Sequence, residues 1–509
     1  MTSEVSHTEF DVIVIGAGIN GAGIARDASM RGLRVLLLDK GDIGGGTSSY
    51  STRLIHGGLR YLEHGELRLV RESLRERSSL LRIAPHLVRP LQLLVPLYEQ
   101  ARRGPWAVRA GLIAYDLLSF DRDLPRHHML SRAKTLLQAP ALNPEGLLGA
   151  AVFFDAQVEF AERLVLENVL SAIEHGATVY TYAKVEKLLI DEGTVRGMEF
   201  MLAHQGSSPT VDRGSSPTVR EGSSDQRFTV SANVVINAAG PWVDQVLGRI
   251  AADSPRLIGG TKGSHIIVAS FAGAPETAIY VEAKTDQRPF FIIPWDHKYL
   301  IGTTDIRYDG NPDQVLIDRS EIDYLLRETN RVIPQAKLTP EKILYSYSGV
   351  RPLPFISDED EPGITRRHFL RSHPQVNNLF SVVGGKLTTY RNLAEAAVHL
   401  VFRSLRRASP PCITAREPLP GAATSPDQLA YGNAFTQRSR LSTKTNSRLL
   451  GIYGARALLL LDLLDQHPEL GKIFDVETGA IAAEVVFAFR RELAQTLSDC
   501  LLRRTMVGL

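Results

Sequence analysis

Cysteine is scarce in this sequence: only Cys412 and Cys500 occur in 509 residues, with no CxxC pair and no His/Cys cluster of zinc spacing. This scarcity excludes a disulfide-stapled secreted scaffold, fits a reducing compartment and gives no reason to predict a metal site. Long apolar runs are also missing, so we expect no segment that spans a bilayer. The opening MTSEVSHTEF lacks a basic n-region and an apolar h-region, which argues against a secretory signal.

An excess of either charge is absent as well, because 58 Lys and Arg residues face 56 Asp and Glu residues, for a net charge of +2. This balance gives no reason to expect nucleic acid as a partner. The chain is 44% hydrophobic, which is typical of globular proteins. Its length predicts two to four folding units in a soluble or peripherally attached protein.

Residues 10–39 contain the pattern of a dinucleotide-binding unit. An apolar, β-branched run at 10–15 predicts a buried strand, and Gly16, Gly18 and Gly21, a helix, a second strand and Asp39 follow in order. The glycines permit a tight turn, close approach of a pyrophosphate and packing of helix on strand. The helix N-terminus would bind the phosphates, and Asp39 would bind an adenosine ribose. The complete order of elements favours this interpretation over a simple strand–helix corner.

The next segment indicates which dinucleotide the chain binds. Small hydroxyl residues, including Thr47, Ser48 and Ser49, precede RLIHGGLRYLEH at 53–64. Composition alone is equally typical of a flexible loop and of a wrapping around an extended cofactor. The whole stretch, however, resembles the hallmark of the FAD-dependent glycerol-3-phosphate dehydrogenases of the aerobic, quinone-linked type. Further family motifs follow in family order: AAGPWVD (238–244), KGSHI (262–266), IPW (293–295), IGTTD (301–305), YSGVRPL (347–353) and GGKLTTYR (384–391).

The resemblance implies an α/β fold with a Rossmann-like, glutathione-reductase-like FAD-binding domain, a β-sheet substrate domain and a C-terminal helical domain. The expected segments are an oxidoreductase region at 1–405, with FAD-binding parts near 10–90, 150–255 and 345–405 and substrate-binding parts near 91–149 and 256–344, then a linker at 406–427 and helices at 428–509. A Gly/Ser/Pro near-repeat at 206–224 predicts a flexible hairpin insertion.

The resemblance also implies which residues contact FAD. At Gly384 and Gly385, backbone amides would approach the flavin ring and stabilise negative charge in it, and a tight turn between strand and helix is compatible with that role. The full predicted set is Gly16, Gly18, Gly21, Asp39, Thr47, Ser48, Ser49, His56, Gly57, Ala239, Gly240, Gly384, Gly385, Leu387 and Thr388.

The implied substrate, sn-glycerol 3-phosphate, carries a dianionic phosphate and a secondary alcohol. Its oxidation to dihydroxyacetone phosphate moves a hydride from C2 to flavin N5, and the site needs fixed cations and a proton acceptor. The resemblance places His265, Arg351 and Lys386 as catalytic residues and Arg60, Tyr61 and Thr303 as substrate-binding residues. His265 is the candidate base, because an unperturbed pKa of about 6.5 suits proton transfer at neutral pH. Arg351 could instead stabilise the developing alkoxide, and the sequence leaves this division open.

Residues 91–120 are the candidate segment for contact with a membrane. They mix apolar side chains with Trp106, Arg102, Arg103 and Arg109, which is typical either of a packed helix pair or of a segment lying on an anionic bilayer. The resemblance favours the bilayer, because a quinone acceptor resides there. It implies a cytoplasmic enzyme held peripherally on the inner face of the cytoplasmic membrane, and we also consider a homodimer.

Other functions stay open. The same electrons could pass to oxygen in an oxidase, or the chain could oxidise an amine or amino acid, whose carboxylate needs fewer cations. A catalytically inactive flavoprotein binding module is a further alternative, against which the Arg60, His265, Arg351 and Lys386 set argues. A nicotinamide-dependent reductase is disfavoured, because the sequence has one dinucleotide fingerprint.

Overall fold

Two β-sheets and a group of C-terminal helices organise the chain in this computed structural model. The structure describes residues 9–62, 65–120, 124–203, 226–248, 256–355, 368–423 and 427–509. The hairpin insertion predicted at 206–224 lies outside the described residues.

Strands and helices are mixed in the first part of the chain, runs of consecutive strands follow in the middle, and helices predominate in the C-terminal region. The strands are β1 (Glu9–Ile15), β2 (Val35–Leu38), β3 (Leu54–Ile55), β4 (Val88–Tyr98), β5 (His128–Ser131), β6 (Leu147–Val158), β7 (Thr178–Tyr180), β8 (Ala183–Asp191), β9 (Thr194–Leu202), β10 (Gln226–Asn237), β11 (Thr261–Val268), β12 (Ala278–Glu282), β13 (Pro289–Trp295), β14 (Lys298–Gly302), β15 (Ile306–Arg307), β16 (Ile343–Arg351), β17 (Phe369–His373), β18 (Val376–Val383), β19 (Ile473–Asp475) and β20 (Ala480–Ile481). The helices are α1 (Ile19–Met30), α2 (Leu67–Ile83), α3 (Pro105–Leu118), α4 (Arg132–Gln138), α5 (Ala161–Glu174), α6 (Val243–Leu247), α7 (Arg319–Val332), α8 (Tyr390–Ser404), α9 (Asp427–Arg438), α10 (Thr443–Tyr453), α11 (Ala457–Gln466), α12 (Ala482–Arg491) and α13 (Leu497–Asp499).

The first sheet is parallel at its centre. Its order is β17-β18-β10-β1-β2-β7, and β9 and β8 extend it as antiparallel strands beside β10. Residues 10–15 of β1 are all buried, because helices cover a parallel sheet and its strands can be apolar throughout. Helix α1 packs against α5 and α8. Since β1, β10 and β18 run parallel, the residues that follow them, Gly16, Ala238 and Gly384, meet at one edge of the sheet.

The second sheet is mostly antiparallel, in the order β15-β11-β14-β13-β12-β4-β6-β3, with β16 beside β11 and β5 beside β6. Strand β6 starts at Leu147 and crosses the predicted boundary near 150 within this sheet. The pairing of β11 with β16 sets Thr261 opposite Arg351 and His265 opposite Tyr347. This register carries the two predicted site residues to the same region of the sheet.

The C-terminal region contains α9 to α13, a small β19–β20 hairpin and a final helical turn, Cys500–Arg504. Its apolar residues, such as Phe435 and Leu449, belong to the same core cluster as Leu93 and Ile293 of the second sheet. The predicted fold class, an α/β architecture with a second β-sheet and C-terminal helices, is confirmed. No helix among the described residues has the length and apolar content needed to cross a bilayer.

Candidate active site

A cavity of about 850 Å³ is lined by residues of both sheets, a volume typical of pockets for small molecules and cofactors. The first sheet contributes the turns that follow β1, β10 and β18, and the second contributes β11 and β16. The predicted residues that line it are Gly16, Gly18, Asp39, Thr47, Ser48, His56, Tyr61, Ala239, Gly240, His265, Arg351, Gly384, Gly385, Lys386, Leu387 and Thr388.

The turn between β1 and α1 requires glycine. Gly16 has φ of 104°, and a Cβ there would lie 2.6 Å from the Ala238 carbonyl oxygen. A Cβ on Gly21 would lie 1.8 Å from the Gly16 carbonyl oxygen, so the helix packs on the turn at backbone distance. Ser48 Oγ accepts a hydrogen bond of 3.0 Å from the Ile19 N–H. The turn therefore brings the N-terminus of α1 to the cavity, where a helix favours anions.

Asp39 is fixed at the end of β2 by backbone groups. Its Oδ2 accepts a 2.6 Å hydrogen bond from the Ala17 N–H, and its Oδ1 accepts a 2.8 Å bond from the Gly41 N–H. Burial raises the pKa of Asp39, and the two N–H groups oppose that rise. The carboxylate is thus held beside the glycine turn, at the position expected of a ribose-binding acid.

Several buried polar atoms of residues that line the cavity have no hydrogen-bond partner among the described residues. They include Asn20 Oδ1, in the first turn of α1, and Trp242 Nε1, just after β10. A Cβ on Gly385 would lie 2.9 Å from Asn20 Nδ2, and one on Gly46 would lie 3.1 Å from the Trp242 ring. Buried polar groups normally have partners. An acceptor and a donor therefore point to a polar ligand such as FAD, which carries both kinds of group.

His265 lies on β11 with 1% of its surface exposed. Its Nε2 lies 2.9 Å from Thr52 Oγ1, and its ring centroid lies 4.9 Å from that of Tyr347. Burial, then the positive charges of Arg351 and Arg53, lower the pKa of His265 well below its usual value. The imidazole is therefore neutral at neutral pH and can accept a proton.

Arg351, at the end of β16, is held by the segment after β14. It donates to Asp305 Oδ1 at 2.8 Å and to Thr303 Oγ1 at 2.9 Å. A Cβ on Gly263 would lie 2.1 Å from Arg351 Nη2. The glycine of the KGSHI motif therefore makes room for this guanidinium, and Asp305 offsets part of its charge.

Lys386 forms a second cationic group. Its Nζ lies 3.6 Å from the Tyr61 ring centroid and 3.4 Å from Ser73 Oγ. The ammonium over an aromatic face is a cation–π contact. The side chain of the third predicted cation, Arg60, lies outside the described part of the structure.

Four predicted residues lie behind the cavity wall. Gly21 packs on Gly16, and Thr303 contacts Arg351, as described above. Ser49 Oγ donates to the Gly44 carbonyl oxygen at 2.6 Å. The Gly57 N–H donates to the Tyr115 hydroxyl at 2.9 Å. These residues position others that reach the cavity.

A buried ion pair that the sequence did not indicate lies beside His265. Arg53 donates to both carboxylate oxygens of Glu162 at 2.7 Å, and each side chain is 1% exposed. The Arg53 guanidinium lies 4.6 Å from the centroid of the Trp295 ring. Nothing in the local sequence near either residue predicts the pair, because 109 positions separate them.

Known proteins and protein families match this chain over nearly its whole length. The model of the FAD dependent oxidoreductase family matches residues 11–397. The model of the C-terminal domain of alpha-glycerophosphate oxidase matches residues 412–509.

Three relatives illustrate the similarity. A glycerol-3-phosphate dehydrogenase of Synechocystis sp. is 48% identical, over 99% of this chain and 90% of that protein. A D-erythritol 1-phosphate dehydrogenase of Brucella abortus is 36% identical, over 97% of this chain and 94% of that protein. The crystal structure of the glycerol-3-phosphate dehydrogenase of Bacillus halodurans complexed with FAD superimposes with a TM-score of 0.77, at 27% identity over 99% of this chain and 87% of that one.

These matches agree with the glycine turn, the fixed acid and the unpartnered polar atoms of the cavity. The predicted cofactor, FAD, is confirmed, and so is the expectation that the chain is a flavin-dependent oxidoreductase. The chain belongs to the family of FAD-dependent glycerol-3-phosphate dehydrogenases.

Proposed function

We propose that this protein oxidises sn-glycerol 3-phosphate at C2 to dihydroxyacetone phosphate and delivers the electrons to a membrane quinone. The observation that carries the proposal is one cavity that joins a dinucleotide-binding turn to a neutral, buried histidine flanked by cations. When bound, FAD supplies the hydride acceptor, N5, and passes the electrons on.

We propose that the turn Gly16–Gly18, Asp39, Ser48 and the Gly384–Gly385 turn hold the cofactor. Gly16 and Gly18 allow close approach at the N-terminus of α1, and the fixed Asp39 carboxylate suits a ribose hydroxyl. Gly385 leaves room beside Asn20, so the backbone there can approach a flat ring.

His265 accepts the proton of the C2 hydroxyl in this proposal. Its depressed pKa keeps it neutral before substrate binds, and Thr52 restrains its ring through Nε2. A dianionic substrate beside Arg351 would offset the positive charges that lower this pKa. Substrate binding would therefore make the imidazole a better base at the moment it is needed.

Arg351 and Lys386 bind the phosphate, together with Arg60. Arg351 is already oriented by Asp305 and Thr303, so its guanidinium is preorganised for a charged ligand. Tyr61 restrains Lys386 through the cation–π contact. An amino acid substrate would not need two separate cations of this kind.

The proposed membrane contact is α3 and the residues beside it. Trp106, Leu117 and Phe120 are 77%, 71% and 72% exposed, and Arg102 and Arg109 are exposed nearby. Exposed apolar side chains flanked by arginines suit the interface of an anionic bilayer. This surface supports peripheral attachment, where the enzyme would meet a lipid-soluble quinone.

A turnover assay with varied substrates and acceptors tests the proposal. We expect reduction of a soluble quinone analogue with sn-glycerol 3-phosphate, slower turnover with D-erythritol 1-phosphate and none with glycine. Stoichiometric peroxide with oxygen, at a rate equal to that with the quinone analogue, would instead identify an oxidase. Absence of turnover by flavin-loaded protein would favour an inactive binding module.

A further inference from the structure

The last helical turn of the chain reaches the cofactor cavity. Arg503, in the turn Cys500–Arg504, lines the cavity together with Asp39, Lys40 and Tyr182. It forms a hydrogen bond with Asp42, which lies 461 positions earlier in the chain. Neither the glycine turn nor any sequence motif described above accounts for an arginine from the C-terminal region at this place.

Two carboxylates fix the Arg503 side chain. Its Nε donates to Asp42 Oδ2 at 2.5 Å, and its Nη2 donates to Asp499 Oδ1 at 2.7 Å. Its Nη1 makes no hydrogen bond to any residue that the structure describes. The side chain is 14% exposed. One edge of the guanidinium is therefore anchored, and one nitrogen is left to meet a ligand.

Hydrogen bonds connect the surroundings of Arg503 to Asp39, the acid that follows β2. The Ala183 N–H donates to the Asp39 carbonyl oxygen at 2.7 Å, and the Tyr182 N–H donates to the Gly41 carbonyl oxygen at 3.0 Å. The Tyr182 hydroxyl then donates to Asp499 Oδ1 at 2.6 Å. This chain of contacts connects Arg503 to the ribose-binding acid by way of Tyr182. It puts the guanidinium at the adenosine end of the cavity.

The neighbouring Arg504 has a different role. It donates to both oxygens of Asp42, at 2.9 and 2.7 Å, and is fully buried. It does not line the cavity. Arg504 thus connects the C-terminal region to Asp42, in the loop after β2. Arg503 donates to the same carboxylate, but its side chain also reaches the cavity.

We propose that Arg503 is an FAD-binding residue that contacts the adenosine moiety, so that the C-terminal region completes the cofactor site. The inference rests on the position of FAD proposed above. A guanidinium has five N–H donors in a rigid plane, and the two carboxylates preorganise it. Binding of FAD and docking of the C-terminal region are then coupled through Asp42.

The test measures binding of FAD and of ADP, a probe for the adenosine end alone, to flavin-stripped full-length protein. We expect Arg503→Gln to raise the Kd of FAD and the Kd of ADP, each measured by direct titration, about tenfold, as for the loss of one charge-assisted hydrogen bond. Arg503→Lys keeps a positive charge facing Asp42, and we expect it to raise the same two dissociation constants. This second variant keeps the inference testable if Arg503→Gln does not fold.

Arg448→Gln is the matched control. Arg448 pairs with Glu484 and donates to the Thr505 carbonyl oxygen, but it does not line the cavity. This control should lower Tm and leave the Kd of ADP at its wild-type value. An unchanged Kd of ADP in both Arg503 variants, or no measurable binding of ADP by the wild type, would overturn the inference. Wild-type protein that binds no FAD would instead contradict the proposed function itself.

Discussion

At the scale of single residues, the surroundings of His265 set its charge and therefore its role. The ring is buried, lies between Thr52 and Tyr347, and is close enough to Arg351 and Arg53 for their charges to lower its pKa. A histidine kept neutral in this way can accept a proton but cannot pair with a phosphate as a cation. We therefore expect other residues to bind the phosphate.

If His265 accepts the proton of the C2 hydroxyl, as we propose, its replacement should slow chemistry and spare cofactor binding. We expect His265→Asn to reduce the rate of flavin reduction by sn-glycerol 3-phosphate roughly 10²–10⁴-fold, the usual contribution of a general base. Stopped-flow absorbance of the flavin under anaerobic conditions measures that rate. A rate within threefold of the wild type, with normal flavin content, would show that another group accepts the proton.

The same histidine makes stability depend on pH. Its pKa in the folded state lies well below the unfolded value of about 6.5, so the unfolded chain binds more protons between these values. Its contribution is therefore present above about pH 6.5 and is lost as the pH falls toward the folded pKa. We expect the Tm of the wild type to fall more than that of His265→Asn between pH 7 and pH 5.5. Equal slopes would contradict the depressed pKa.

The glycine of KGSHI is required by Arg351. A Cβ on Gly263 would overlap the guanidinium, so we expect Gly263→Ala to displace it and to raise KM for sn-glycerol 3-phosphate about tenfold or more. Steady-state kinetics at saturating quinone analogue measure the change. Gly111→Ala is the control, because a Cβ there meets no atom within 4 Å. An unchanged KM in Gly263→Ala would argue against Arg351 as a phosphate ligand.

At the scale of elements, α3 exposes apolar side chains that the rest of the described chain does not cover. We expect Trp106→Ser combined with Leu117→Ser to weaken co-flotation with vesicles of anionic lipid several-fold, because less apolar surface enters the interface. Turnover with a soluble quinone analogue should be unchanged. Leu137→Ser, which alters a leucine 86% exposed on α4, is the control. Equal flotation of all three proteins would remove α3 as the attachment site.

The sequence could predict those parts of the fold and of the site that depend on neighbouring residues. The strand, glycine turn, helix and Asp39 are adjacent in the chain, so their arrangement follows from local rules. Asn20 lies within the glycine motif and Asp305 within IGTTD, but their roles depend on residues distant in sequence, Gly385 and Arg351. The Arg53–Glu162 pair and the cavity position of Arg503 depend on contacts across more than a hundred residues. No spacing along the chain carries that information.

At the scale of the whole molecule, buried ion pairs join the C-terminal region to the first sheet. Arg163 of α5 and Glu492 are both fully buried and bond at 2.6 and 2.9 Å, and Arg456 bonds the same carboxylate. Burial alone would raise the pKa of Glu492, but Arg163 and Arg456 hold it at about 2. The division into a cofactor domain, a substrate domain and separate C-terminal helices stays a prediction.

This pair should be costly to break. We expect Glu492→Gln to destabilise the protein by roughly 3–5 kcal/mol, because two buried arginines lose their counter-charge. Thermal or urea unfolding of the flavin-loaded protein measures the loss. The wild-type contribution is present above about pH 4.5, the ordinary pKa of the group, and is lost as the pH falls toward 2. A loss below about 1 kcal/mol at pH 7 would show that the pair contributes little.

If one cavity holds FAD and oxidises sn-glycerol 3-phosphate, the substrate should reduce the bound flavin. Purified, flavin-loaded protein is mixed with sn-glycerol 3-phosphate under anaerobic conditions, and the visible absorbance of the flavin is recorded. We expect complete bleaching by one equivalent of substrate per flavin, with dihydroxyacetone phosphate as product. Persistence of the oxidised flavin spectrum with excess substrate would contradict it.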